Sequence, residues 1–157
     1  MASSTSVTQL MTTDVVTLRP DQSLAEAADV LADRSIGAAP VVGDDGRIVG
    51  LLRDEDLLVT EARLHLPTTI QILPGVEFTL PNQIRRYDEE LKKAASSTLA
   101  DVMERDFKHV GPDATIEDVA TLMHEHDVTH VPVVSDDGKV LGIVARGDIV
   151  RFLAATT

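Results

Sequence analysis

The feature that most constrains this chain is an internal repeat, because a set of turn and strand residues occurs twice, 92 positions apart. Residues 7–58 align with residues 99–150 without a gap. Pro, Gly and Asp-Gly are residues that turns require, so their recurrence indicates one fold formed twice. The recurring pairs are Pro20-Asp21 and Pro112-Asp113, Pro40-Val41-Val42 and Pro132-Val133-Val134, and Asp44-Asp45-Gly46 and Asp136-Asp137-Gly138.

Each copy has the pattern of a βαββα unit. Val15-Val16-Thr17 predicts a first strand, and Ser23-Leu24-Ala25-Glu26 has the form of a capping box that begins a helix, which Gly37 can end. Two apolar runs around the Asp-Asp-Gly turn predict a hairpin, and the acidic segment after it predicts a closing helix. Because such a unit leaves one sheet face poorly covered, we expect an α+β fold in which two tandem units pack sheet to sheet about a pseudo-twofold axis.

The repeats divide the chain into three parts. We place repeat 1 at 7–59, an inter-repeat arm at 60–97 and repeat 2 at 98–154. Within the arm, an apolar stripe that includes Ile84 predicts a helix near 83–96. The arm either covers the module's own surface or forms a dimerisation element, and its largely apolar segment favours the second interpretation.

Composition argues against several classes of partner. A formal net charge of −12 and only 3% aromatic residues disfavour nucleic acids and anionic membranes. With no Cys, the chain has no thiolate metal site and fits a reducing compartment. Residues 1–6 lack the pattern of a signal peptide, and no run of 18 apolar residues occurs, so we expect a cytoplasmic protein without a membrane span.

The sequence has histidines of a metal-binding type but none of several common catalytic motifs. The chain contains no nucleophile elbow, phosphate loop, zinc-protease helix or deaminase signature, so we expect no enzyme. His124, His126 and His130 are of a type that binds zinc, nickel or cobalt. Their spacing on and beyond a helix would point them to different sides, which favours a solvated polar face and no metal site.

The duplicated motifs resemble those of the CBS domain pair, or Bateman module. They are the Pro-Val-Val strand, the Asp-Asp-Gly turn, and a glycine-aliphatic-aliphatic run with Asp six residues after the glycine, as in Gly50 and Asp56 or Gly142 and Asp148. The resemblance covers roughly 7–59 and 99–153. It implies a homodimeric regulator without a required cofactor, whose clefts bind AMP, ADP, ATP or S-adenosylmethionine and which acts on an unknown effector protein. A cyclic dinucleotide spanning two adjacent clefts stays open as a ligand.

The resemblance assigns the ribose to Asp56 and Asp148. A carboxylate has two acceptor oxygens that match a vicinal diol, but each residue could equally be an acid that stabilises a helix N-terminus. Members of the family usually have Ser or Thr three residues before this Asp, whereas this chain has Arg53 and Ala145. A ligand-independent interaction or dimerisation module with degenerate clefts is therefore the alternative function.

The second copy is the favoured site. There Arg146 and His130 could face a phosphate, and the small Gly147 lets backbone donors approach it, whereas Asp54 and Glu55 in the first copy would repel it. For two of the assigned wall residues, Val15 and Val131, a place in the core is an equally good interpretation. The remaining residues assigned to the ligand site are Thr13, Val15, Ala38, Ala39, His109, Val131, Pro132 and Ala145.

Overall fold

The computed structural model of the protein describes residues 5–58, 69–73, 76–79 and 97–157. A 3-10 helix at Val7–Gln9 comes first, and residues 54–58 are helical. Each repeat contains helices and an antiparallel pair of strands, which confirms the predicted α+β class. The helices and strands are α1 (Leu24–Arg34), β1 (Ala38–Val42), β2 (Ile48–Arg53), β3 (Thr69–Leu73), β4 (Val76–Thr79), α2 (Leu99–Val102), α3 (Ile116–His126), β5 (His130–Val134), β6 (Val140–Ala145) and α4 (Arg146–Thr156).

Helices α1 and α3 begin and end in the same way. The Ser23 side chain accepts a hydrogen bond from the backbone N–H of Glu26, and Thr115 does the same for Asp118. Such caps satisfy backbone donors that the first helical turn leaves unpaired. Helix α1 ends at Ser35, which has a left-handed backbone (φ 52°), and not at Gly37 as the sequence predicted.

The two central hairpins form as predicted. Strand β1 pairs antiparallel with β2, and β5 pairs antiparallel with β6. Gly46 and Gly138 adopt positive φ angles of 79° and 85° in the turns, a conformation that glycine adopts without steric cost. The predicted first strand at Val15-Val16-Thr17 is wrong: these three residues lie in no strand, and the next residue, Leu18, forms a single parallel bridge to Val41.

The inter-repeat arm contains a third hairpin. Strand β3 pairs antiparallel with β4, in the register Thr69 to Thr79 and Ile70 to Phe78. The helix predicted near 83–96 lies outside the described residues. In the described part of the chain, no helix has both the length and the apolar character needed to cross a membrane.

The two repeats exchange their first residues, so that each hydrophobic core contains an apolar residue from the beginning of the other repeat. Val7, which is fully buried, packs in one core with Val119, Val131 and Val144 of repeat 2. Leu99, at the start of repeat 2, is equally buried in the core that repeat 1 forms. Each core is therefore completed by the first residues of the other repeat, and separating the repeats would expose both cores to water.

Two methionines fix this exchange against two glycines. Met11 packs on Gly142 and Met103 packs on Gly50, and a Cβ atom at either glycine would lie 2.5 Å from the methionine Sδ. Backbone hydrogen bonds of 2.9 and 3.0 Å join Thr12 to Ile143 beside the first contact. The glycine of the duplicated motif is thus required for close approach of the exchanged segment.

The repeats also meet at their hairpins, about a pseudo-twofold axis. Arg47 forms an antiparallel bridge with Lys139, and the Ile48 N–H donates to the Gly138 carbonyl over 2.9 Å. His130, at the start of β5, packs on Gly37, which precedes β1. In the sheet-to-sheet arrangement predicted from the repeat, the two hairpins therefore contact each other at their turns and near their first strands.

Candidate functional site

Several clefts open between the repeats in the part of the chain that the structure describes, and the first contains Asp148. This Asp148 cleft has a volume of about 280 Å³. Residues 12, 14–16 and 35–38 of repeat 1 form one wall, and β6 and the beginning of α4 form the other. Its lining residues are Thr12, Asp14, Val15, Val16, Ser35, Ile36, Gly37, Ala38, His130, Ile143, Ala145, Asp148 and Arg151.

The second cleft, here called the Arg53 cleft, has a similar volume of about 270 Å³. Its residues are largely those that the repeat relates to the first: Asp106 corresponds to Asp14 and Leu51 corresponds to Ile143, 92 positions apart in each pair. The two clefts are therefore pseudo-twofold equivalents, in which the side chains differ. The lining residues are Leu51, Arg53, Glu104, Asp106, Phe107, Lys108, His126, Val128 and His130.

Asp148 has two distinct contacts at the beginning of α4. Its Oδ2 accepts a hydrogen bond of 2.9 Å from the backbone N–H of Ala145, which caps the helix. Its Oδ1 contacts the guanidinium of Arg151, whose side chain is 76% exposed. The cap fixes the carboxylate on the wall of the cleft, while its second partner is held only by a solvent-exposed ion pair.

Asp56 has the same cap but a different second partner. The Arg53 backbone N–H donates to Asp56 Oδ2 over 3.0 Å, and Arg53 Nη2 lies 3.2 Å from Asp56 Oδ1. Partial burial disfavours the charged form of Arg53, but the hydrogen bond to Asp56 and the charges of Asp56, Glu55 and Glu104 outweigh it and raise the pKa of the guanidinium. Arg53 is therefore a permanent cation held by its acidic neighbours.

His130 borders both clefts near the pseudo-twofold axis. A Cβ atom at Gly37 would lie 3.2 Å from its Cε1, so the imidazole packs directly on that glycine. Its Nδ1 lies 3.0 Å from Thr129 Oγ1. Burial lowers the pKa of His130, against the attraction of Asp54 and Asp148 for the imidazolium.

This lowered pKa predicts a dependence of stability on pH. The unfolded chain takes up a proton at His130 near pH 6.5, whereas the folded chain takes it up only at a lower pH. The contribution of His130 to stability is therefore complete above about pH 6.5 and is lost as pH falls through the folded-state pKa. We expect the free energy of unfolding, measured by urea titration, to fall less between about pH 7 and pH 5 in His130→Gln than in the unchanged protein.

The matched control for this prediction is His124→Gln, which removes an exposed histidine of α3. Its stability should fall with pH as steeply as that of the unchanged protein. Equal pH dependence in His130→Gln and in the unchanged protein would contradict the assignment. The charged groups that face His130 and remain in every variant are Asp54, Asp148, Arg53 and Glu55.

The structure brings only some of the predicted site residues together. Val15, Ala38, His130, Ala145 and Asp148 line the Asp148 cleft. Ala39, Val131 and Pro132 are almost completely buried in the strands. Thr13 and His109 are exposed and lie outside the linings of both clefts. The Asp56 carboxylate is paired with Arg53. The assignment of these residues to a ligand stays a prediction.

Arg146 lies outside both clefts. It lines a separate groove of about 220 Å³ between α3 and α4, with His124 and Asp127. Arg146 and Asp148 are two positions apart on a helix, and residues with that spacing do not share a face. The expected cation beside the Asp148 carboxylate is Arg151 instead.

Sequence reasoning missed Arg151, Asp14 and Ile143 as cleft residues. A signal for Arg151 was present, because an acid and a base three residues apart on a helix are neighbours. No local sequence pattern indicates that Asp14 and Ile143 line the cleft. They are distant in the sequence and come together only because the first residues of repeat 1 pack on β6 of repeat 2. Among the residues that the structure describes, no three acidic or histidine side chains are close enough to hold a metal ion.

Comparison with known proteins gives the same family as the motifs. A family model of the CBS domain matches residues 7–62 and 99–155. The chain is 33% identical to an uncharacterized protein of Methanocaldococcus jannaschii, MJ1426, over 85% of this chain and 82% of that protein. It is 31% identical to the CBS domain-containing protein YhcV of Bacillus subtilis, over 92% of this chain and 82% of that protein.

Two solved structures extend the comparison to the fold. The crystal structure of CBSX2 in complex with AMP, a protein of Arabidopsis thaliana, superposes with a TM-score of 0.74, at 25% identity, and covers 97% of this chain and 98% of that one. The CBS domain pair of MJ0100, in complex with 5-methylthioadenosine and S-adenosyl-L-methionine, has the same TM-score at 24% identity and covers 98% of both chains. The fold is thus that of a CBS domain pair.

Proposed function

Because the chain belongs to the CBS domain family, we propose that it is a regulatory, non-catalytic module that binds an adenosine nucleotide in the Asp148 cleft. The observation that carries this proposal is the position of Asp148, a capped carboxylate on the wall of a cleft formed by both repeats. The AMP complex of CBSX2, which is similar over nearly the whole chain, supports the choice of ligand.

The residues of the Asp148 cleft match the parts of a nucleotide. The Asp148 carboxylate would accept hydrogen bonds from the ribose hydroxyls, an arrangement in which charged acceptors bind strongly. Val15, Ile36 and Ile143 offer apolar surface for the base. Arg151 stands beside the carboxylate and would face the phosphate, since a guanidinium binds phosphate oxygens in pairs.

Regulation follows from the construction of the cleft. Residues 12–16 and 35–38 belong to repeat 1, whereas Ile143, Asp148 and Arg151 belong to repeat 2. A ligand that contacts both walls favours the arrangement of the repeats in which its contacts are complete, which is a population shift. We propose that this shift is transmitted through a homodimer to another protein in the cytoplasm.

The test is a thermal-shift panel of AMP, ADP, ATP and S-adenosylmethionine at millimolar concentration, followed by titration calorimetry. We expect Asp148→Ala to weaken binding of the preferred ligand about 10- to 100-fold, because hydrogen bonds to a charged group contribute about 1.5–3 kcal/mol. The variant also loses the cap of α4, which costs about 1 kcal/mol, so each ligand shift is compared with the same variant without ligand.

Asp56→Ala is the matched control, because it removes the equivalent cap in repeat 1. It should lose at least as much stability, because it also leaves the half-buried Arg53 without this partner, and it should keep its affinity for the nucleotide. If the unchanged protein responds to none of the ligands, the proposal is wrong and the ligand-independent interaction module becomes the better hypothesis.

A further inference from the structure

We propose that Arg53 prevents nucleotide binding in the second cleft by occupying the Asp56 carboxylate. Each chain would then have one nucleotide site and not the two that its internal symmetry suggests. The inference rests on the proposed function and deepens it, because it fixes the stoichiometry of binding. It concerns the difference between two carboxylates that the repeat makes equivalent, Asp56 and Asp148.

The first support is the geometry around Asp56. Arg53 Nη2 lies 3.2 Å from Asp56 Oδ1, and Nε lies 3.5 Å from Oδ2. The remaining nitrogen, Nη1, lies 2.9 Å from Oε1 of Glu55. The guanidinium therefore covers both carboxylate oxygens, and a ribose diol could reach them only after breaking this ion-pair network.

The second support is burial. The Arg53 side chain is 27% exposed, whereas that of Arg151, the partner of Asp148, is 76% exposed. An exposed ion pair contributes little and exchanges readily with another partner. Removing one member of a more buried pair leaves the other charge without compensation, which costs much more. A ligand can therefore displace Arg151 from Asp148 more easily than it can displace Arg53 from Asp56.

The third support is what faces each cleft. Among the described residues, the lining of the Arg53 cleft includes Arg53 and not Asp56, whereas the lining of the other cleft includes Asp148 itself. The two volumes, about 270 and 280 Å³, are nearly equal. The second cleft is thus not short of space. Asp56 and Asp148 are both 17% exposed, so the two clefts differ in the arginine that contacts the carboxylate and not in the burial of the carboxylate itself.

Charge gives the same result for the phosphate. Arg53 is already neutralised by Glu55 and Asp56, so its charge is not available to an anion. Glu104, Asp106 and Lys108 also line this cleft, where Thr12, Asp14 and Val16 line the other, and the two sets have the same net charge. The difference for a phosphate is therefore the arginine, because among the described residues Arg53 has two acidic partners and Arg151 has one.

The position equivalent to Arg53 is Ala145, which permits a reciprocal exchange. Both residues donate their backbone N–H to the carboxylate three positions later, over 3.0 and 2.9 Å. Arg53→Ala and Ala145→Arg therefore keep both helix caps and change only the side chain. Arg53→Met, which retains an apolar stem without donors, serves as a second variant if Arg53→Ala loses stability.

The experiment is titration calorimetry with AMP, which reports the number of sites per chain. We expect one site in the unchanged protein, two in Arg53→Ala, none in Ala145→Arg, and one in the double variant. In the double variant the remaining site should depend on Asp56, so that Asp56→Ala then abolishes it while Asp148→Ala does not.

The outcomes separate the two proposals. Two sites in the unchanged protein, or a single site in both Arg53→Ala and Arg53→Met, would overturn the role of Arg53 and leave the proposed function intact. No binding by the unchanged protein, but one site in Arg53→Ala, would overturn the Asp148 site and support the role of Arg53. No binding by any variant would overturn both.

Discussion

Replacing Leu99 with alanine is expected to lower the free energy of unfolding by about 3 kcal/mol, because removing a fully buried leucine loses its transfer free energy and leaves a cavity. The Leu99 side chain is completely buried. Although it stands at the beginning of repeat 2 in the sequence, it belongs to the core of repeat 1. Urea unfolding measures the loss, and Leu58→Ala, at a position that is 68% exposed, should change stability by less than about 0.5 kcal/mol.

Double-mutant cycles then test the exchange of segments itself. Leu99 shares its core with Leu52, whereas Val133 lies in the other core. We expect Leu99→Ala and Leu52→Ala to be non-additive by more than about 0.5 kcal/mol, while Leu99→Ala and Val133→Ala add within that margin. The reverse pattern would contradict the exchanged arrangement.

Gly50→Ala is expected to be the next largest loss, about 1–3 kcal/mol, because the added methyl overpacks the contact with Met103. The new Cβ would lie 2.5 Å from Met103 Sδ, 2.8 Å from its Cγ and 3.2 Å from the Glu104 carbonyl oxygen. Since a backbone atom and an inner side-chain atom are among these neighbours, rotation of the methionine alone cannot relieve the clash. The midpoint of urea unfolding should therefore decrease.

Rescue distinguishes this steric cause from a backbone effect. Met103→Ala removes the clashing atoms, so adding Gly50→Ala to it should cost clearly less than Gly50→Ala alone. Gly111→Ala is the control, because nothing lies within 4 Å of its new Cβ and its φ is not positive. It should leave stability unchanged or raise it by up to about 1 kcal/mol. Equal costs for Gly50→Ala with and without Met103 would contradict the contact.

Much of the fold could be predicted because its signals are local. The Asp-Asp-Gly turns predicted both hairpins, since Gly46 and Gly138 need positive φ. Ser23 and Thr115 predicted where α1 and α3 begin. The first strand was placed wrongly because the apolar character of Val15 and Val16 is used to line a cleft and not to pair with a neighbouring strand.

The candidate site was predictable to a smaller extent. The duplicated motif contains Asp56 and Asp148, and the resemblance assigned them to a ribose and His130, before the Pro-Val-Val strand, to the same ligand. Their unequal surroundings could not be read from the motif, because Arg53 and Ala145 differ in what their side chains reach in space. Ala39, Val131 and Pro132 were assigned to the site through the resemblance. They lie in strands that are buried on both faces, and their assignment stays a prediction.

The sequence by itself determined that two equivalent units form, where their turns and helix caps lie, and which apolar residues are buried. Only the tertiary structure decided which core the first residues of each repeat enter and which arginine contacts each carboxylate. The physical reason is that hydrophobic burial is not directional. Val7 and Leu99 must be buried, but two nearly identical cores could accept either, and the choice depends on close contacts such as those of Met11 and Met103 with glycine.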